Sequence, residues 1–95
     1  MKLEYTHRFH DELRREYLFL CERNGEAAVR VRDLILQTIE RIERFPQLGR
    51  SWRLPGTREI VVPGLPYLVI YELHTDRIVI LTLFHTSREY PPVLH

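Results

Sequence analysis

In the first part of the chain, apolar residues recur at the spacing of an amphipathic helix. Phe9, Leu13, Tyr17 and Leu20 follow one another at steps of three and four. This spacing predicts a helix over residues 7–23 with charged side chains on its other side. Thr6 is the predicted N-cap. Asn24-Gly25 is predicted to end the helix, with the glycine in the left-handed conformation.

A second apolar set follows the same helical period. Its members are Ala28, Val31, Ile35, Ile39, Ile42 and Phe45. Pro46 ends this helix because proline cannot continue the hydrogen-bond ladder. The two helices are predicted to form an antiparallel hairpin that covers one face of a sheet. The alternative is that the exposed edge of the hairpin forms a groove for a partner.

The remaining segments are β-branched and follow a strand pattern. Short strands are predicted at Met1–Tyr5 and at the sheet edge at Ser51-Trp52-Arg53, with Trp52 capping the core. Three longer strands are predicted at Thr57–Val62, Tyr67–Leu73 and Arg77–Phe84. The last two form a hairpin around His74-Thr75-Asp76. The predicted fold is α+β: a short N-terminal strand, a helical hairpin and an antiparallel β-meander packed on the helices. Both faces of Tyr67–Leu73 are mostly apolar, so the second face needs another cover.

Length and composition predict one small globular domain over residues 1–95. Apolar residues make up 44% of the chain and charged residues 28%, an ordinary globular composition. No apolar stretch approaches the roughly 20 residues of a transmembrane helix, and the N-terminus lacks a signal-peptide layout, so a cytoplasmic location is expected. The single Cys21 lies among apolar residues in the first helix, which predicts a buried, inert thiol.

Charge is uneven although the net charge is only +1. Arg50, Arg53 and Arg58 fall in a short segment whose only acid is Glu59, which predicts a local positive patch. A guanidinium suits phosphate or carboxylate groups. A genomic composition bias toward arginine over lysine is the alternative explanation for these residues.

Several polar residues could together cleave RNA without a metal. Such a reaction needs a base, an acid and cations on the phosphate. His85 could serve as base or acid, Arg58 and Arg88 as phosphate clamps, and Tyr90 or Tyr71 as a donor or stacking platform. Structural roles fit as well: an ion pair with a glutamate for Arg58, packing with a solvated hydroxyl for Tyr67 and Tyr71, and a backbone hydrogen bond for His85. No metal site or cofactor is expected, because His7 and His10 have no nearby Cys or clustered acids to complete a coordination shell.

The order of elements, with four short segments, resembles the RelE/ParE superfamily of toxins from bacterial type II toxin–antitoxin modules. The segments are Phe45-Pro46-Gln47-Leu48-Gly49-Arg50, Pro55-Gly56-Thr57-Arg58-Glu59, Pro66-Tyr67 with Tyr71, and His85-Thr86-Ser87-Arg88-Glu89-Tyr90-Pro91. The resemblance covers nearly the whole chain.

Within this superfamily the chain is more similar to the ParE-like branch, which poisons DNA gyrase, than to the RelE-like mRNA nucleases. The nuclease branch usually carries Tyr-Arg-Leu-Val-Tyr on its central strand, whereas this chain has Leu68 in place of the arginine. The lysines on the preceding strand of the ribosome-dependent nucleases are missing, and the chain is nearly neutral. Arg88 does match an arginine of the nuclease pattern.

The resemblance implies a growth-inhibiting toxin that binds DNA gyrase and is neutralised by a cognate antitoxin. Its target-binding candidates are Arg50, Arg53, Arg58, His85, Arg88 and Tyr90. The alternatives are a RelE-like endoribonuclease acting with the ribosome on mRNA, and a non-toxic remnant that still binds antitoxin. Direct sequence-specific DNA binding by this chain alone is not expected. The second sheet face predicts a partner segment that folds onto it, and poor solubility or self-association without that partner.

Overall fold

A computed structural model describes residues 1–87 as a helical hairpin packed on one five-stranded sheet. The elements are β1 (Lys2–Tyr5), α1 (His7–Cys21), α2 (Gly25–Arg44), β2 (Arg50–Ser51), β3 (Thr57–Val61), β4 (Tyr67–Leu73) and β5 (Arg77–His85). The predicted α+β fold and its order of elements are confirmed.

Short polar side chains fix both helix starts. Thr6 Oγ1 accepts a hydrogen bond from the Phe9 amide at 3.0 Å, as predicted for an N-cap. Asn24 caps α2 by accepting from the amides of Glu26 and Ala27. Gly25 is therefore the first residue of α2, with no positive φ, and the predicted left-handed closure of α1 is wrong. The Asn24 side chain satisfies the first amides of α2, and this directs the chain straight into the second helix.

The strand order is β1-β5-β4-β3-β2. Strands β3, β4 and β5 form the predicted antiparallel meander, and β1 lies parallel to β5 at the far edge. Tyr71 faces Ile80 while Ile70 faces Thr82, so Leu81 is an extra, bulged residue in β5. The Leu81 carbonyl oxygen accepts a hydrogen bond from the Thr6 hydroxyl at 2.7 Å.

The main core lies between the helices and one face of the sheet. Its fully buried members include Phe9, Ile35, Ile39, Ile42, Val69, Tyr71, Ile78 and Ile80. Because side chains alternate along a strand, Ile70 and Leu68 lie on the opposite face. Ile70 is fully buried there, whereas Val61, the cross-strand neighbour of Leu68, is 54% exposed. The second face is thus partly apolar and partly open, as predicted.

Glu12 joins α1 to the bulged strand. Its carboxylate accepts hydrogen bonds from the Thr82 hydroxyl at 2.7 Å and from the Leu83 amide at 3.0 Å. The β1 partner residues on β5 end at Ile80, so this stretch of β5 lies beyond β1. The Glu12 carboxylate therefore takes the place of a strand partner for part of the β5 edge.

Two side chains differ from their predicted environments. Cys21 is exposed, and the prediction of a buried thiol is wrong. Its neighbour Leu20 lines the narrow gap between α1 and α2 instead, since successive helix positions point about 100° apart. Trp52 is half-buried and lies outside the main core, with the Arg53 guanidinium 4.6 Å from its ring centre. Neither helix of the described part is long and apolar enough to span a membrane.

Candidate functional site

The Arg58 guanidinium forms hydrogen bonds with the loop between α2 and β2. Arg58 lies on β3 opposite Tyr71. It donates hydrogen bonds to the carbonyl oxygens of Gly49 at 2.7 Å and Gln47 at 3.4 Å. The predicted ion pair of Arg58 with a glutamate is not formed with any described residue. The charged guanidinium of Arg58 instead donates to two backbone carbonyls of this loop.

Tyr71 holds the same loop from inside the protein. The ring is fully buried, and its hydroxyl donates to the Pro46 carbonyl at 2.7 Å and accepts from the Gly49 amide at 2.9 Å. The prediction of a solvated Tyr71 hydroxyl is therefore wrong. Burial raises the pKa of the Tyr71 hydroxyl, with smaller opposing effects from the Gly49 hydrogen bond and the Arg58 charge. The neutral phenol is the form that donates to Pro46.

Gly49 is required at its position because the packing leaves no room for a side chain. A Cβ atom built there would lie 2.8 Å from both the Glu59 carbonyl oxygen and the Tyr71 hydroxyl. Such distances are well inside van der Waals contact. The close approach of backbone to phenol thus depends on glycine.

Arg50 and Arg53 lie at the outer edge of the sheet and are exposed. The Arg50 guanidinium contacts the Glu59 carboxylate at 2.6 Å, although the arginine side chain is 79% exposed. Arg53 stacks over Trp52. The predicted arginine patch exists as an edge surface, in which Arg50 and Arg53 are exposed, whereas Arg58 is half-buried and donates hydrogen bonds to the loop.

His85 lies at the other end of the sheet, at the last position of β5. Its ring packs edge-to-face on Tyr67, with 5.2 Å between ring centres. Its Nδ1 accepts a hydrogen bond from the Ser87 amide at 3.1 Å, which leaves the proton of the neutral ring on Nε2. The Tyr67 hydroxyl in turn donates to Glu16 at 2.7 Å. His85 thus makes the backbone hydrogen bond that was one of its two predicted roles.

Arg58 and His85 are not brought together. Arg58 pairs with Tyr71 and His85 with Tyr67, so they are offset by two strands and four residues. With a rise of about 3.3 Å per residue and a strand spacing of about 4.8 Å, their Cα atoms are roughly 16 Å apart. The remaining predicted members, Arg88 and Tyr90, lie outside the described residues. The predicted phosphate clamp Arg58 and the predicted base or acid His85 therefore lie apart in the sheet.

Sequence reasoning missed two features. One is the Glu12 link to β5, for which a half-buried acid on a helix gives no local signal. The other is an open groove beside the end of α2, where Phe45 and Leu48 are exposed. The placement of Phe45 beside Pro46, just past the helix end, was a signal that this apolar side chain falls outside the helical stripe. No described group of His, Cys, Asp and Glu could hold a metal ion.

Comparison with known proteins gives consistent matches. Residues 3–90 match the model of a family described as the ParE toxin of the type II toxin–antitoxin system parDE. A protein of Sinorhizobium fredii named "Putative toxin Y4kP" is 35% identical over 69 residues, covering 73% of this chain and 71% of that protein.

Solved structures share the fold. A structure of the chromosomal ParDE system from P. aeruginosa matches with a TM-score of 0.80 at 20% identity, covering 90% of this chain and 95% of that one. The isolated E. coli RelE toxin matches with a TM-score of 0.67 at 14% identity, covering 93% and 86% of the two chains. The E. coli RelBE toxin–antitoxin complex gives the same TM-score and identity, covering 92% and 98%.

Proposed function

Because this chain belongs to the ParE toxin family of type II toxin–antitoxin systems, we propose that it inhibits bacterial growth by binding DNA gyrase. A cognate antitoxin neutralises it by covering its exposed apolar surface. The observation that carries the binding role, as opposed to a catalytic one, is the position of Arg58. Its guanidinium holds the loop carbonyls of Gln47 and Gly49, roughly 16 Å along the sheet from His85.

Arginines at the β2 edge are suited to contact the target. Arg50 and Arg53 are exposed, and exposed arginines can form bidentate contacts with a partner at little cost to the fold. Arg58 stabilises this edge indirectly, because it donates hydrogen bonds to carbonyl groups of the loop before β2. His85, Arg88 and Tyr90 remain predicted contact residues at or beyond the end of β5.

Exposed apolar residues support an antitoxin partner. Val61 and Phe45 are each more than half exposed, at 54% and 59%. A disordered segment that folds on binding gains free energy from covering such residues. Solved structures of the same fold include a toxin–antitoxin complex, RelBE of E. coli. Without antitoxin, we expect this chain to be poorly soluble or to self-associate.

An endoribonuclease of the RelE type is the second candidate function. A nuclease of this type would use His85 as its base or acid, since the hydrogen bond to Ser87 involves Nδ1 of the ring and not Nε2. It would have to operate with Leu68 in place of the nuclease arginine and with Arg58 turned toward a loop. If this function holds, Arg58→Ala, His85→Ala or Arg88→Ala abolishes RNA cleavage, and His85→Ala or Arg88→Ala leaves antitoxin affinity little changed.

Pulse-labelling of bacteria after induction of this chain separates the two functions. DNA synthesis and protein synthesis are followed in parallel during the first minutes. We expect DNA synthesis to fall first, and purified gyrase to lose supercoiling activity when the purified chain is added. An earlier fall in protein synthesis, with cleaved mRNA, would identify a nuclease. Normal growth at full expression of the intact chain would identify a non-toxic remnant.

A further inference from the structure

The loop after α2 presents two large apolar side chains to solvent. Phe45 is 59% exposed and Leu48 is 41% exposed. With Met1 and Leu73 they line an open cavity of about 790 Å³ between the end of α2 and the β4–β5 turn, here called the α2-end groove. Exposed apolar surface gathered in a concave site is typical of association sites.

The groove is built on a fixed backbone. The Phe45 amide donates to the Arg41 carbonyl at 2.8 Å, and the Leu48 amide donates to the Phe45 carbonyl at 2.9 Å. Pro46, Gln47 and Gly49 are held by Tyr71 and Arg58, as described above. Every residue of the loop is thus bonded through its backbone, so a ligand meets a preformed surface and less ordering entropy opposes binding.

The charge beside the groove is positive. The described residues that line it include Arg44 and His74 and no carboxylate. His74 already contacts Glu72 at 3.1 Å. Arg41 lies one turn before Arg44 in α2, and within residues 1–87 neither arginine has an ion pair. The groove therefore offers apolar contact with the Arg44 cation at its rim. Arg41 lies beside Arg44 in an adjoining depression, which Glu40 also lines.

We propose that the α2-end groove binds a segment of the antitoxin in which an apolar side chain lies close to acidic residues. This inference rests on the proposed function, since it names the surface that the antitoxin covers. The apolar side chain packs on Phe45, Leu48 and Leu73. The acidic residues contact Arg44 and Arg41. The planar guanidinium group of an arginine can donate two parallel hydrogen bonds to one carboxylate.

A second copy of this chain is a poorer occupant. A symmetric dimer through the groove would bring the Arg41 and Arg44 ends of two α2 helices to one interface. Like charges at an interface cost free energy, whereas acidic residues of an antitoxin would be attracted. Charge complementarity thus selects an acidic partner.

The test measures affinity of the full chain for the labelled protein of the reading frame adjacent to its own, used as the antitoxin. Leu48→Glu and Arg44→Glu are the test variants. Leu18→Glu is the matched control, because Leu18 is equally an exposed leucine but lies near the opposite end of the helical hairpin. Phe45→Gln repeats the test at a second groove position in case Leu48→Glu folds poorly. Circular dichroism and urea unfolding check the fold of each.

We expect Leu48→Glu, Phe45→Gln and Arg44→Glu each to weaken binding by about tenfold or more, and Leu18→Glu by less than about threefold. Wild-type affinity should also fall between about 0.05 M and about 0.5 M NaCl, and less so in Arg44→Glu.

Wild-type affinity in all the folded groove variants would overturn the groove assignment while leaving neutralisation by antitoxin intact. An equal loss in Leu18→Glu would also overturn it, because the effect would not be specific to the groove. Loss of growth inhibition with unchanged antitoxin affinity would assign the groove to the target instead. A wild-type chain that does not bind the adjacent protein at all would refute the proposed neutralisation as well.

Discussion

The hydroxyl of Tyr71 lies 2.9 Å from the backbone nitrogen of Gly49, 22 residues earlier in the chain. The same hydroxyl donates to the Pro46 carbonyl. One buried phenol therefore satisfies both ends of a short loop, and that loop carries the exposed Phe45 and Leu48. The geometry of the surface depends on a side chain that a partner never contacts.

Replacement of Tyr71 by phenylalanine should destabilise the protein. The ring still fills its place in the core, but the Gly49 amide and the Pro46 carbonyl lose their partner. We expect the free energy of unfolding to fall by about 1–3 kcal/mol, measured by urea denaturation. Tyr17→Phe is the control, because its ring contact with the Arg32 guanidinium survives the change. Equal effects of the two variants would mean that the loop hydrogen bonds contribute nothing to stability.

A side chain at Gly49 should be poorly tolerated. In Gly49→Ala the new methyl group meets the Glu59 carbonyl oxygen and the Tyr71 hydroxyl, so the loop must shift. We expect a loss of about 1–3 kcal/mol in thermal or urea unfolding. Gly25→Ala has no atom within 4 Å of its new methyl group and should leave stability unchanged or raise it by up to about 1 kcal/mol. The reverse order of stabilities would contradict this packing.

Stability should fall at high pH through Tyr71. Burial raises its pKa in the folded state above the ordinary value of about 10, so the unfolded chain loses its proton first as pH rises. The stabilisation is complete below about pH 10 and is lost above it, by at most about 1.4 kcal/mol per pH unit. The pKa of Tyr5 is also raised, by burial and by Glu43 and Glu40.

Urea midpoints at several pH values between about 9 and about 11 measure this loss. Because Tyr71→Phe cannot ionise, the stability difference between wild type and this variant should shrink as pH rises. Tyr5→Phe should remove a separate part of the slope. A difference between wild type and Tyr71→Phe that stays constant over this range would exclude a raised pKa at Tyr71.

Removal of the Glu12 carboxylate should loosen the contact of α1 with β5. In Glu12→Ala the buried Thr82 hydroxyl and the Leu83 amide lose their acceptor, which should cost about 1–3 kcal/mol. Hydrogen exchange at the Leu83 amide reports the local effect and should accelerate more than at other β5 amides. Asp11→Ala, an exposed neighbour on the same helix, should leave that amide protected. Unchanged Leu83 exchange in Glu12→Ala would show that the strand does not need this acceptor.

Replacement of Arg53 should separate function from stability. Arg53 is exposed at the β2 edge, so Arg53→Ala should change the free energy of unfolding by less than about 1 kcal/mol. If this edge contacts the target, growth inhibition after induction should weaken clearly. Arg30→Ala is the control, an exposed arginine on α2, and should remain as toxic as wild type. Full toxicity of Arg53→Ala would remove this residue from the target-binding surface.

The sequence by itself determined the helices, the meander and their order, because these follow from local periodicity and turn chemistry. Thr6 was identifiable as an N-cap since its partner is only three residues away. At Asn24-Gly25 two local signals competed: a glycine can end one helix, and an asparagine can start the next. The structure shows that the N-cap of α2 forms there.

Only the tertiary structure decided what the polar residues do. Arg58 had the sequence features of an available cation, but the loop carbonyls of Gln47 and Gly49 occupy it. Tyr71 and Glu12 likewise find partners 25 and 71 residues away. Periodicity reports which face of an element is apolar and carries no information about which distant backbone group a polar side chain will meet. That pairing is fixed only when strands and helices pack, because a buried donor or acceptor must then find a partner inside the protein.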